Sequence, residues 1–467
     1  MSKIPRILCI TTIALLIFIV LQGFWNIIPM RAFVLKGAYE MDECPKPTFA
    51  TVVDGSWQEQ ANKHIKGTLG FREIAIRMYN QYVWSCFRHS TNFSVMPGKD
   101  GYLYERYFVE DHYESRMYKY TTNPQQLIDK FDLEARRLAK LQTILRECGT
   151  TIFVAIPPGK DILYPEYVPP QGNLTRTPGP RAYPEYPHLF DRYGIQYIDI
   201  LGWFISVRDS VPFALMTKTG THWSNIGATY AFDSVMRYMQ SLGGPSIRPV
   251  SIGEPYYDKT RETDDDLGQL MNLLVPPRQP RCMYADVTLL PDTTNSKPGL
   301  VVIGDSFFWN VIYSYPLDSL FRYSHYWFYN NTVFFDPAHD NVSQFNLAEA
   351  LTDADYIMLI YCSGQLYDLG NSFIEKALVA CCYDDEEVDS VRNEVFQQIR
   401  ADENWFKNVQ IKAQEGGISL EQAMINDADY LIFQNPESFF PVLAEPGIPA
   451  KRSRQLIQKR KNTFNNN

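Results

Sequence analysis

The chain has 467 residues, 45% of them apolar and 21% charged, which excludes a disordered protein and leaves room for two or three domains around a large core. A net charge of −9 argues against nucleic acid as a partner and suits neutral sugars or a membrane partner. The seven histidines include no His-Glu-x-x-His and the cysteines no Cys-x-x-Cys, so neither a metal site nor a cofactor is expected.

Lys3 and Arg6 precede an uncharged run from Ile7 to Ile28 that is long enough to cross a bilayer, with Trp25 placed as an interfacial aromatic. Residues 1–30 read as a signal anchor with the N-terminus in the cytoplasm. A cleaved signal peptide is the alternative, although the run is long for one and no small-x-small site follows it. The rest of the chain then lies outside the cytoplasm, where Cys44, Cys86, Cys148, Cys282, Cys362, Cys381 and Cys382 can form disulfides but leave at least one thiol over.

Residues 31–120 form an N-terminal segment of helix and strand. Phe71, Ile74, Met78 and Tyr82 recur at helical spacing within Ser56 to Trp84, and Gly98-Lys99-Asp100-Gly101 turns into the aromatic strand Tyr102-Leu103-Tyr104. The main domain spans 121–380. Asn123-Pro124 starts a long helix stopped by Gly149, which feeds a strand from Thr151 to Ile156 ending at Pro157-Pro158-Gly159-Lys160, with Tyr164 and Pro165 beyond. A second strand, Ile195 to Ile200, carries Asp199. Thr221-His222-Trp223-Ser224-Asn225 then opens a helix to Leu242. Leu300 to Ile303 is an apolar run suited to a strand buried on both faces; further strands are expected at Thr332 to Phe335 and Asp355 to Tyr361. Helices alternating with apolar strands predict a mainly parallel sheet covered on both sides. The acidic run 384–387 reads as a boundary to a helical region, 381–467, in which Ser419-Leu420-Glu421-Gln422 is a capping box and Lys451 to Lys461 a basic tail.

Gly304-Asp305-Ser306-Phe307 places Ser306 on a sharp turn between strand and helix, at the edge of the sheet where α/β proteins bind ligands. That is a nucleophile's position, although all three leading residues are also ordinary turn formers. His222, at a similar junction, is the favoured base; Asp336-Pro337-Ala338-His339 is the rival, with spacing that lets a carboxylate meet an imidazole.

Four separated stretches resemble the AlgX/AlgJ-type polysaccharide O-acetyltransferases, which have an SGNH hydrolase-like fold. They are Phe71-Arg72 with Gly98 to Leu103, Ile156-Pro157-Pro158-Gly159-Lys160 through Tyr164-Pro165-Glu166, Thr221-His222-Trp223 with Asn225 and Gly227, and Gly304-Asp305-Ser306-Phe307. Together they cover roughly Ser56 to Lys376 in the family's order. The resemblance implies a three-layer α/β/α acyltransferase domain behind an N-terminal transmembrane helix, anchored by a single pass in the inner membrane and facing the periplasm. It also implies an acyl-serine on Ser306, a polysaccharide acceptor and a membrane-bound O-acyltransferase as donor partner. Where the family has Asp-x-His-Trp, this chain has Gly220. Asp199 and Asp209 are then candidates for the acid that orients His222, and the histidine working alone or a weakened site are alternatives. Lys160, Tyr164 and Trp309 are candidate contacts for sugar; for Lys160, capping a carbonyl is the plainer role, and for Trp309, core packing. A carbohydrate acetylesterase would use the same serine and histidine, and a silent glycan-binding subunit would explain Gly220 directly.

Overall fold

The computed structural model describes residues 3–25, 27–28, 34–37, 46–114, 123–169, 180–277, 279, 281–292 and 297–444. Cys44 and the basic tail lie outside them. No disulfide joins two described cysteines.

Six strands form the central sheet: β1 (Thr151–Ile156), β2 (Tyr197–Asp199), β3 (Gly299–Gly304), β4 (Tyr323–Phe328), β5 (Thr332–Phe334) and β6 (Tyr356–Ile360). Their order is β5-β4-β3-β6-β1-β2, and every pairing is parallel except that of the edge strand β5. Alternation within the strands sorts side chains into two cores. Ile152, Val154, Val301, Ile303, Ile357 and Leu359 face one layer; Phe153, Ala155, Leu300, Val302, Met358 and Ile360 face the other. All are buried, and each large aliphatic contributes roughly 1.5 to 3 kcal/mol by leaving water.

The first layer holds helices Pro124–Glu147, Ala182–Tyr193 and Phe373–Cys382, and the second Ile200–Val207, Asn225–Ser241 and Phe308–Ser314. This is the three-layer α/β/α, SGNH-like arrangement. The acidic run at 384–387 marks no break in packing. Asp384 caps helix Asp385–Ala401 through a capping box with Glu387, and Val395, Ile399, Val409 and Ala428 of the C-terminal helices enter the same core as Leu127 and Phe131.

At the N-terminus α1 (Lys3–Trp25) contains one window, Arg6–Gly23, long and apolar enough to cross a membrane. The helical stretch expected over Ser56 to Trp84 is made of two helices, α2 (Ser56–Thr68) and α3 (Arg72–Phe87), broken where Phe71 takes a left-handed backbone with φ of 62°.

Candidate active site

Ser306 stands on the turn that leaves β3. Gly304 is required there because a side chain would run into the Ile360 carbonyl of β6. Asp305 holds the turn rather than facing a proton-transfer partner: its amide donates to the Ile360 carbonyl at 3.0 Å, and its carboxylate accepts from the amides of Cys362 at 2.7 Å and Phe307 at 3.0 Å. Burial pushes the Asp305 carboxyl up, opposed by those amides and by the nearby His222.

His222 meets Ser306 directly, with Nε2 to Oγ at 2.7 Å. Its loop is locked to the serine turn by the next residue, since the Trp223 indole donates to the Phe307 carbonyl at 3.0 Å and is fully buried. The other imidazole nitrogen, Nδ1, lies 2.6 Å from a carboxylate oxygen of Asp266. An Nδ1–H donated to Asp266 leaves Nε2 as the acceptor for the serine hydroxyl, which is the tautomer a general base needs. Asp266 is itself fixed, its second oxygen accepting from the amides of Thr221 and Leu267, each at 2.7 Å. Burial disfavours the imidazolium, but the charge and hydrogen bond of Asp266, reinforced by Asp305 and Glu105, outweigh it and raise the His222 pKa above its ordinary value.

The carboxylate bonded to His222 is therefore neither Asp199 nor Asp209. Asp199 caps helix Ile200–Val207 through the Gly202 amide at 2.8 Å and accepts from the Tyr183 hydroxyl at 3.1 Å, while the Asp209 side chain is 91% exposed beside Arg208. Gly220 has a steric reason. A Cβ there would lie 2.6 Å from the Thr263 carbonyl, 2.7 Å from Thr217 Oγ1 and 2.9 Å from the Asp264 carbonyl. The segment that fills this space is the one that delivers Asp266. It is pinned to the histidine loop at both ends, by Thr217 Oγ1 donating to the Asp264 carbonyl at 2.6 Å and by the Gly268 amide donating to the Thr219 carbonyl at 3.0 Å.

Asp336 and His339 do pair, at 2.8 Å, but in the loop beyond β5, where His339 stacks on Phe345 at 4.2 Å and His325 adds a third member. The nitrogen bonded to Ser306 belongs to His222. Lys160 takes the plainer of its two roles: its buried ammonium donates to the carbonyls of Leu103, Lys218 and Gly220 and so braces the histidine loop from below. Burial pulls it down to about 7, against the charge of Asp266. Tyr164 packs against Tyr102, with ring centroids 5.7 Å apart, and its carbonyl accepts from the Tyr104 hydroxyl at 2.6 Å. Trp309 sits edge-on to Phe334 and Tyr326, at 4.9 and 5.3 Å, as aromatic packing would have it.

Glu105 and Tyr329 join the site without having been singled out in the sequence. Glu105 accepts from Thr221 Oγ1 at 3.0 Å, next to His222, and burial raises its pKa. Tyr329, just past the end of β4, lies near Ser306, and burial pushes its hydroxyl well above its ordinary value. Among the described residues no group of three or more His, Cys, Asp or Glu is arranged to hold a metal ion.

Residues 95–308, which include Glu105, His222, Asp266 and Ser306, match the family described as SGNH hydrolase-like domain, acetyltransferase AlgX. The matched stretch is similar to AlgX-type domains and spans a little under half of the chain. Among solved structures, the O-acetyltransferase domain of Pseudomonas putida AlgJ aligns at 16% identity and a TM-score of 0.40, covering 59% of this chain and 92% of its own. Pseudomonas aeruginosa AlgX aligns at 13% and 0.36, covering 61% and 67%, and Bacillus cereus PatB1 at 12% and 0.35, covering 58% and 96%. No curated protein sequence matches the chain. The AlgX-type match begins at Val95, so the Phe71-Arg72 block lies outside it.

Proposed function

We propose that the protein is an extracytoplasmic O-acetyltransferase that moves an acetyl group through an ester on Ser306 to a hydroxyl of a polysaccharide. The observation that carries this is the linear chain Ser306 Oγ, His222 Nε2, His222 Nδ1, Asp266, with links of 2.7 and 2.6 Å, inside a domain that matches an acetyltransferase family. In the first half-reaction the serine proton passes to His222 as Oγ bonds the acetyl carbon, and the imidazolium returns that proton to the donor's leaving group. In the second, an acceptor hydroxyl gives its proton to His222 and attacks the ester carbonyl, and His222 returns that proton to Ser306 Oγ as the ester bond breaks. The Ser306 amide would stabilise the oxyanion in both, a contact worth about 2.7 to 4 kcal/mol.

Glu105, Asp266 and Asp305 surround His222, and the nearby cation, Lys160, is engaged by backbone carbonyls; both features favour a neutral acceptor over a polyanionic one. The apolar helix α1 would serve as a single-pass inner-membrane anchor holding residues 46–444 in the periplasm, beside a membrane-bound O-acyltransferase that supplies acetyl groups. The test is to incubate the full chain in detergent with an activated acetyl ester and map the modified peptide by mass spectrometry, then add a neutral oligosaccharide. Acetyl on Ser306 that transfers to sugar is expected. Brisk acetate release with no acetylated sugar would make the protein an esterase.

A further inference from the structure

The exposed apolar residues of the N-terminal helices are not scattered. Along α3, Ala75, Met78, Tyr79, Tyr82 and Cys86 fall at three- and four-residue spacing on one exposed face; Met78, Tyr79 and Tyr82 are 57, 63 and 58% exposed. The opposite face is the one that packs on the protein: the Asn80 amide donates to the Met271 carbonyl at 3.1 Å and Trp84 packs on the cluster of Leu267, Met271 and Leu273. An outer stripe of this size has the width and composition of an interface, since large apolar side chains do not line up in water without one.

Phe71 heads that stripe, four residues before Ala75, and its side chain touches α1. Its ring lies 5.7 Å from that of Phe18. Gly23 of α1 packs on the Thr68 carbonyl, and Gly70 on Ile19 and Gln22, so closely that a side chain at either glycine would collide. Residues 18–23 form the distal end of the apolar window Arg6–Gly23, which at 1.5 Å per residue is about 27 Å long, close to the hydrocarbon thickness of a bilayer. The α2–α3 turn is therefore docked at the level where α1 leaves the membrane. The chain is also held after its exit: the Lys36 amide donates to Asn272 Oδ1 at 2.7 Å, and Asn272 Nδ2 returns a bond to the Lys36 carbonyl at 3.0 Å. Residues 46–90 carry six basic against three acidic side chains in a protein whose net charge is −9.

From these observations we infer that α2 and α3 form a membrane-resting foot, with the stripe from Phe71 to Cys86 seated in the lipid headgroup region of the leaflet that α1 exits. Aromatic side chains with a polar tip, such as Tyr79 and Tyr82, suit that depth, and basic flanks such as Lys63, Lys66 and Arg88 suit anionic headgroups. The foot would hold the Ser306 edge at a fixed height and tilt over the membrane instead of letting it swing on a tether. This rests on the membrane-anchored reading above.

The test uses the full chain in liposomes containing anionic phospholipid, with Cys9 and Cys44 replaced by serine so that a nitroxide reports from native Cys86, on the stripe and exposed. Further labels are placed singly, with Cys86 also replaced, at Tyr79→Cys, at Leu15→Cys in α1 and at Tyr430→Cys, which is 71% exposed on a C-terminal helix. The quantity read is collision with oxygen, which partitions into lipid, relative to collision with an aqueous nickel chelate. The expected result is a ratio highest at position 15 and, at 79 and 86, several-fold above that at 430. Ratios at 79 and 86 equal to that at 430, with position 15 deep, would overturn the foot while sparing the anchor; protection of 79 and 86 from both reagents would mean that protein, not lipid, covers the stripe. An aqueous ratio at position 15 would remove the anchor itself, and the foot with it.

Discussion

The two halves of the candidate site are built in opposite ways. The Ser306 turn is local: strand, glycine, aspartate and serine are consecutive, and Asp305 ties the turn to the neighbouring strand β6 with two short bonds. The His222 side is assembled over distance, with its carboxylate partner 44 residues downstream, its loop braced by Lys160 from another strand end, and Thr221 held by Glu105. A local turn is specified by its own few residues, whereas a long-range constellation depends on every contact that sets the register between segments. Substitutions should separate the two halves accordingly.

The largest effects are expected at the junction of the halves. Ser306→Ala and His222→Ala should each lower acetyl transfer by about 10⁴-fold or more, and the double variant should be little worse than either, because the pair acts as a unit; additive losses in kcat/KM would show that they do not. Asp266→Asn should come next, at roughly 10³- to 10⁴-fold by analogy with triad enzymes generally. It should also displace the pH profile. His222 must be neutral to act, and Asp266 holds its pKa up, so activity in the native protein falls as pH drops through a value above the ordinary 6.5. Without Asp266 that limb should move to lower pH while the plateau collapses.

Gly220 sharpens the comparison further. Restoring the family's usual aspartate there would seem a repair, but the space is occupied by the carbonyls of Thr263 and Asp264. Gly220→Ala and Gly220→Asp should both push this segment aside and lower activity by about 10²-fold, the scale expected for an ångström of misplacement. A rate gain in Gly220→Asp would mean that the histidine accepts an acid from either side. The smallest effect is predicted at His339→Ala, within about twofold of native activity as a surface change should be, since His339 pairs with Asp336 and stacks on Phe345 away from the serine's partner.

The sequence was legible where the physics is local. The apolar run at Leu300 to Ile303, the glycine at 304 and the serine at 306 carry their own explanation, and the histidine junction announced itself by its polar setting. Gly220 was visible as a departure, but a missing side chain does not say what fills its place, and Asp266 lies in the run Glu262-Thr263-Asp264-Asp265-Asp266, which has the composition of any solvated loop. Only the fold shows Asp264 spent on the Tyr284 hydroxyl at 2.7 Å and the next carboxylate but one turned to His222. The acidic run at 384–387 has a local role that composition does not show: Asp384 forms a capping box with Glu387 at the start of a helix, whereas Ser419 caps its own helix by accepting from the Gln422 amide alone.

The most direct test of the relocated acid is the titration of His222 itself, followed by nuclear magnetic resonance with nitrogen-labelled histidine in the native chain and in Asp266→Asn. In the native protein His222 is expected to show a protonated Nδ1 in a strong hydrogen bond and a pKa above 6.5, with both the bond signature and the elevation lost in the variant. A His222 pKa and Nδ1 signal unchanged by Asp266→Asn would contradict it.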